Sequence, residues 1–143
     1  VCRGFIGYFH DNKLSKLSRA ADQRKAMLRS LATSLFTHDA ITTTKTRAKA
    51  LRPIADHIVT LAKRGDVHAI RQVARLIFHS HTGETIEDQQ GDKMREIPET
   101  VLRRIFRKIG PRMQERKGGY VRVIPAPPRR GDAAPMALVT FSD

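Results

Sequence analysis

Positive charge is spread over almost the whole of this chain and is interrupted in one place. Its 27 lysines and arginines stand against 14 aspartates and glutamates, a formal +13 on 143 residues. Six of those acids, Glu84, Glu87, Asp88, Asp92, Glu96 and Glu99, share one short stretch with only two bases, Lys93 and Arg95. A fold for such a chain must keep its cations at the surface, so the core has to be assembled from narrow apolar faces. The balance also points to a polyanion as partner.

The apolar fraction, 40%, can supply a modest core, and the length suits one globular domain with basic extensions. A basic N-terminal extension is expected at 1–19 and a single domain at 20–143, carrying an acidic insertion at about 79–97. Cys2 is the one cysteine, so an internal disulfide is excluded and a reducing or intracellular compartment fits best. Mean hydropathy is −0.42, and no apolar run approaches the roughly 20 residues that span a bilayer, so no membrane insertion is expected. Val1 in place of an initiator methionine reads as a presequence removed or a start trimmed away. The small apolar cluster of Phe5, Ile6, Tyr8 and Phe9 reads as a tail that packs on a neighbour.

Asn12 to Arg19 mixes small polar and basic residues with Leu14 and Leu17 and is expected to be an extended basic arm. A helix is expected from Ala21 to Thr37, because Met27, Leu28, Leu31 and Leu35 recur at helical spacing, with Lys25, Arg29 and Thr33 on another side. Ala40 to Thr44 is a short β-prone segment. Thr44 is placed to cap a second helix running to Arg64 before Gly65, with an apolar stripe of Ala48, Leu51, Ile54, Ala55, Ile58 and Leu61. Pro53 falls inside it, which predicts a kink or a break. Asp66 can cap a third helix with Ile70, Val73, Ala74 and Ile77 inward, lasting to about Phe78.

His79 to Ile97 is polar, acidic and aperiodic, and is expected to be a surface excursion. Pro98 suits the first turn of a helix whose packing face is Val101, Leu102, Ile105, Phe106 and Ile109, ending at Gly110 and Pro111. Tyr120 to Ile124 and Met136 to Phe141 alternate as strands of a hairpin, joined by a stiff basic connection containing Pro125, Pro127, Pro128, Arg129, Arg130 and Gly131.

Signals for catalysis are weak. His79 and His81 near Glu84, Glu87 and Asp88 lack a second ligand pair at metal-binding spacing and read as a solvated loop. No phosphate-binding glycine loop or dinucleotide fingerprint occurs, and no cofactor is expected. Arg130-Gly131-Asp132 as an adhesion motif is a three-residue coincidence. The basic residues say more. Arg103, Arg104, Arg107, Lys108, Arg112, Arg116, Lys117 and Arg122 fall close together, opposed in sequence by Glu115 alone. An arginine-rich face without interspersed acids favours phosphate binding over simple solubility. With no Trp and only Tyr8 and Tyr120 as tyrosines, an aromatic stacking platform is not expected, so recognition of a large folded RNA by shape and phosphate fits best.

Ordered motifs then carry a resemblance. Lys16-Leu17-Ser18-Arg19, Arg24-Lys25-Ala26-Met27-Leu28-Arg29, Ile41-Thr42-Thr43-Thr44 and Arg47-Ala48-Lys49-Ala50-Leu51-Arg52 resemble the N-terminal half of the bacterial-type large-subunit ribosomal protein seventeen family. Gly118-Gly119-Tyr120-Val121-Arg122-Val123 and Arg130-Gly131-Asp132-Ala133-Ala134-Pro135-Met136-Ala137 look like its closing signature. The resemblance covers Lys13 to Phe141 apart from the acidic stretch. It implies an α/β (α+β) fold, with helices on a small mixed sheet made from the short central strand and the C-terminal hairpin. It implies a structural constituent of the large ribosomal subunit near the polypeptide exit region, bound to large-subunit rRNA and beside neighbouring ribosomal proteins, without catalysis or a small-molecule substrate. Carried over by position, the rRNA contacts would be Lys13, Lys16, Arg19, Arg24, Lys25, Arg29, Thr43, Lys45, Arg47, Lys49, Tyr120, Arg122, Arg129 and Arg130. The aromatic Val1 to Phe9 segment, Pro53 and the acidic stretch depart from the family pattern. The acidic stretch is expected to point to solvent or to a basic protein neighbour. The insertion and missing initiator suggest an organellar ribosome. Ala21 to Ala26 and Pro128 to Asp132 look like the cyanobacterial and plastid branch, which favours a chloroplast over a mitochondrion. On charge alone, a free nucleoid-type nucleic-acid binder is the competing reading.

Overall fold

A computed structural model describes residues 15–90 and 93–142; Lys13 and the Phe5 to Phe9 cluster lie outside them. Elements follow in the order α1 (Ala21–His38), β1 (Ala40–Thr44), α2 (Lys45–Arg64), α3 (Val67–Leu76), β2 (His81–Gln90) and β3 (Lys93–Thr100). Then come α4, β4 (Val121–Ala126) and β5 (Met136–Phe141). Helix α4 is α-helical over Val101–Arg104, widens to a π-helical turn over Ile105–Ile109 and closes over Gly110–Arg112. One sheet has the order β1-β5-β4 and β2-β3 forms a second, two-stranded one. Among the described residues every pairing is antiparallel, so the expected sheet forms from the expected strands without a parallel, mixed pairing.

Helix α2 is the centre of the molecule. Ala48, Leu51, Ala55, Ile58 and Val59 are fully buried, and the flanking Ala50, Leu61 and Ala62 are buried as well, which widens the expected stripe. Burying each large aliphatic side chain contributes roughly 1.5–3 kcal/mol. The Leu51, Ile58 and Val59 layer therefore outweighs the ~3 kcal/mol of a mid-helix proline. Pro53 does not break the helix. It lies on the exposed side, as does Lys49, the residue whose carbonyl loses its helical donor. Gly65, at φ 70°, ends the helix in the left-handed conformation.

Several local expectations are corrected. Residues 15–20 turn rather than extend: Leu17 and Ser18 have φ of 57° and 52°, and the Ser15 hydroxyl accepts from the Leu17 N–H at 3.3 Å. Thr33 is buried, because its hydroxyl returns a hydrogen bond to the Arg29 carbonyl and accepts one from the Phe78 N–H. Helix α3 stops at Leu76, with Ala69, Val73 and Ile77 inward and Ala74 exposed. Asp66 precedes α3 but makes no side-chain cap, since its carboxylate takes Arg64 at 2.8 Å. Pro125 belongs to β4, opposite Ala137, on an edge strand where a missing N–H is tolerated.

The largest correction concerns the acidic stretch. It is a β-hairpin, not a loop, in which Ile86 pairs with Ile97 and the register shifts between His81 and Thr85 beside Gly83 at φ 85°. Pro98 is a strand residue opposite Thr85, and the helix begins only at Val101. Thr100 caps that helix, its hydroxyl accepting from the Arg103 N–H at 3.3 Å.

The buried Val101, Ile105 and Ile109 of α4 and Met113 just past its end are each four apart, with Leu102 and Phe106 half-buried beside them. Such spacing drifts around a regular helix of about 3.6 residues per turn, and the wider π turn holds it on one face. The helical backbone also continues past Gly110, where a Cβ would come within 3.1 Å of the Ala62 carbonyl of α2. Glycine permits that close crossing. At the far side, Phe36 of α1 packs on Phe141 of β5 with ring centroids 5.4 Å apart.

Candidate nucleic-acid interface

Two adjoining grooves run between the N-terminal half of α2 and the β4 edge. The first, about 380 Å³, has Lys45, Lys49 and Arg52 on one wall and Val123 and Pro125 on the other. The second continues from Arg52, Val123 and Pro125 to Arg122 and Gly119. Arg52 belongs to both, so the cations form one continuous strip. Lys45, Lys49 and Arg52 are four and three residues apart, which puts them on one side of α2. Lys45, Lys49 and Arg122 are exposed, and none has an ion-pair or side-chain hydrogen-bond partner among the described residues. Arg52 reaches Asp56 only at 3.9 Å.

At the start of α2 a further recess brings Ser15, Lys16 and Leu17 of the arm against Thr44, Thr46 and Arg47. The Thr44 side chain does not cap α2, and the Lys45 N–H donates to the Pro135 carbonyl at 2.9 Å, so the positive end of the helix lies beside the recess that Lys16 and Arg47 line. Arg19 is exposed nearby in sequence, at the end of the turn. An anion is the natural occupant of such a junction.

Other sequence-derived candidates fall elsewhere. Arg24 and Lys25 line a separate groove between α1 and α3. Arg29 is committed inside the chain: its Nη2 donates to the Ile77 carbonyl at 2.9 Å and the guanidinium lies 4.3 Å from the centre of the Phe78 ring. Thr43 is buried, because strand alternation turns it inward opposite Ala137. Tyr120 is 4% exposed, a core residue whose hydroxyl accepts from Lys63 Nζ at 3.2 Å. Arg130 is exposed in the β4–β5 connection.

Arg129 pairs with Asp132 through two hydrogen bonds of 3.1 and 2.6 Å. Those bonds, reinforced by the Ala134 N–H, lower the Asp132 carboxyl from 3.8 to about 2. Because the folded value lies below the ordinary one, the contact supports the turn above the normal carboxylate range and is lost as pH falls toward about 2. Carboxyl NMR titration should place Asp132 near that value, and Arg129→Ala should return it toward 3.8. An unchanged titration in the variant would remove Arg129 as the cause.

The arginine-rich α4 differs most from its sequence-level reading. Arg104 donates to Asp39 at 2.8 Å and to Glu84 at 3.4 Å, and lies 4.0 Å from Glu99. Lys108 bonds Glu84 at 2.7 Å and Glu99 at 3.3 Å. The Lys108 ammonium holds the Glu84 carboxyl below its usual range, and Glu84 in turn raises Lys108. Arg103, Arg107, Arg112 and Arg116 also have interactions within the chain. The acids missing from this region of sequence arrive from the hairpin and from the α1–β1 junction, so α4 is a clasp for the hairpin as much as a basic face. Arg52 and Arg75 were absent from the sequence-derived set. Helical spacing, seven residues on from Lys45 for Arg52, was the available signal for the first.

Cations on an arm, a central helix and a sheet edge, carried by a small α+β core, are the make-up of a protein that meets nucleic acid over an extended surface. Comparison with known proteins specifies which. Residues 27–142 match the family described as Ribosomal protein L17. The large ribosomal subunit protein bL17 of Streptococcus pyogenes serotype M49 (strain NZ131) is 46% identical over 124 residues, spanning 87% of this chain and 94% of that protein. The bL17 proteins of Streptococcus pneumoniae (strain Hungary19A-6) and Streptococcus equi subsp. zooepidemicus (strain H70) match to the same extent. The chain belongs to the ribosomal protein L17 family, whose members are structural and not enzymatic.

Proposed function

We propose that this chain is a structural constituent of the large ribosomal subunit that grips large-subunit rRNA along the α2–β4 strip, near the polypeptide exit region and beside other ribosomal proteins. The observation that carries this reading is the continuity of the two grooves through Arg52, with Lys45, Lys49 and Arg122 on their walls. Ser15, Lys16 and Leu17 of the basic extension at 1–19 continue the strip past Arg47, and the domain at 20–143 supports it. Arg130 sits on the exposed connection beyond β4 and continues the same sign of charge.

Tagged full-length protein should co-sediment with large subunits and leave them only when they are disrupted. If around 8 phosphates are neutralised, log affinity for a large-subunit rRNA fragment should fall with log salt at a slope steeper than about −5. Persistent migration at the top of the gradient, or association with duplex DNA in its place, would overturn the reading.

The ribosome is an organellar one, with the chloroplast ahead of the mitochondrion. Ala21-Asp22-Gln23-Arg24-Lys25-Ala26 and Pro128-Arg129-Arg130-Gly131-Asp132 support this by their similarity to cyanobacterial and plastid sequences. Mass spectrometry of large subunits purified from each compartment should recover peptides spanning these strings from plastids. Recovery from mitochondria alone would reverse the order, and recovery from neither would remove the organellar assignment.

A further inference from the structure

We propose that the groove between α1 and α3 receives a single unstacked nucleotide of the bound RNA, its base on an aliphatic floor and its phosphate on a cationic rim. This rests on the rRNA-binding reading above and adds a second, chemically different contact to it. The groove is about 380 Å³, within the roughly 300–1,000 Å³ typical of small-ligand sites. Its floor is Leu28 of α1, Ile54 of α2 and Leu76 of α3, and its rim is Arg24, Lys25 and Arg75. Among the described residues no carboxylate lines it.

The combination selects the occupant. A paired helix offers phosphates and sugars to a protein surface and has no use for an aliphatic floor. A base swung out of its stack presents an apolar face and carries its phosphate about one side chain away. Cationic charge complements that phosphate, and arginine planes can stack on the base where aromatic residues are lacking.

The end of α3 would ordinarily work against an anion, because its last carbonyls carry partial negative charge. Arg29 places a compensating positive charge there, at Ile77, the extended residue that follows the last turn of α3. Its Nη2 donates to the Ile77 carbonyl at 2.9 Å, and the guanidinium is fixed 4.3 Å above the Phe78 ring. The wall of the groove is thus preorganised and locally positive before RNA arrives. Arg24 and Arg75 make no side-chain hydrogen bond or ion pair among the described residues, so both rim guanidinium groups are available.

The test uses assembled large subunits carrying either the natural chain or Arg24→Ala/Arg75→Ala, probed with base-modifying reagents and, in parallel, with hydroxyl radicals that report the backbone. The expected result is that one or two unpaired nucleotides protected by the natural chain become at least about 5-fold more reactive at the base in the variant. Backbone protection along the α2–β4 strip should persist. No change at any unpaired base, with that strip intact, would overturn the nucleotide site and leave the groove to a protein neighbour or to solvent. Loss of the α2–β4 backbone footprint even with the natural chain would overturn the rRNA reading itself and this site with it.

Discussion

Arg104→Met should lower the stability of the folded chain by about 3 kcal/mol, the low end of the roughly 3–5 kcal/mol that follows when a buried ion pair loses one partner. Arg104 is 11% exposed at its side chain and faces Glu99, which is 1% exposed, while the same guanidinium holds Asp39 and Glu84. The last two are about half exposed, so water screens their share and the Glu99 contact dominates. Lys108 still reaches Glu99 at 3.3 Å in the variant, which is why the low end applies. Glu99 Oε1 and Arg104 Nε are buried without hydrogen-bond partners, so the cluster already carries desolvation cost that removal of both charges would relieve. Arg104→Met combined with Glu99→Gln should therefore recover part of the loss. Urea unfolding midpoints of the two single variants and the double variant measure the coupling, and hydrogen exchange in β2 and β3 should accelerate in Arg104→Met alone. A single-variant loss under about 0.5 kcal/mol, or strict additivity, would show that the hairpin is held by its backbone and not by this cluster.

The clasp also shows where sequence reading succeeded and where it stopped. Helices α1 and α2 were legible because Leu28 and Leu35 in the first, and Leu51, Ala55 and Ile58 in the second, repeat at the helical period and have one core to face. The pair β4 and β5 was legible because Ala137, Val139 and Phe141 alternate with half-exposed neighbours. The hairpin β2–β3 has almost no such pattern. Its strands are polar, its one described aliphatic cross-strand pair is Ile86 with Ile97, and its two strands pair with each other in a register that leaves no trace in hydropathy. Glu99 was hidden for the same reason: a carboxylate in an acidic run gives no sign that Lys108 and Thr82 will enclose it. Among the interface candidates, Thr43 and Tyr120 failed as surface residues because each sits at an inward position, which motif similarity cannot reveal. Arg29 looked like a surface cation on its own helix. Its partners, Ile77 and Phe78, lie almost fifty residues away in sequence and are joined to it only by the packing of α3 on α1.

Lys49→Glu with Arg122→Glu should abolish incorporation into large subunits while leaving the fold intact. Both side chains are exposed and neither has an ion-pair or side-chain hydrogen-bond partner among the described residues, so nothing in the core is lost. Surface changes of this kind usually move stability by no more than about 0.5 kcal/mol. Binding is another matter, since Lys49 stands on the α2 wall and Arg122 on the β4 wall of grooves joined through Arg52. On the proposed interface, reversal would remove two phosphate contacts and place two anions against the polyanion, which should lower affinity for large-subunit rRNA by at least about 100-fold at moderate salt. The neutral variant Lys49→Gln/Arg122→Gln separates lost attraction from added repulsion. It should fall between the natural chain and the reversed one, with a log affinity against log salt slope shallower by about 2. Circular dichroism and urea midpoints confirm folding in each case, and gradient sedimentation reads incorporation. Normal incorporation of the reversed variant, with its fold unchanged, would move the rRNA interface away from the α2–β4 strip.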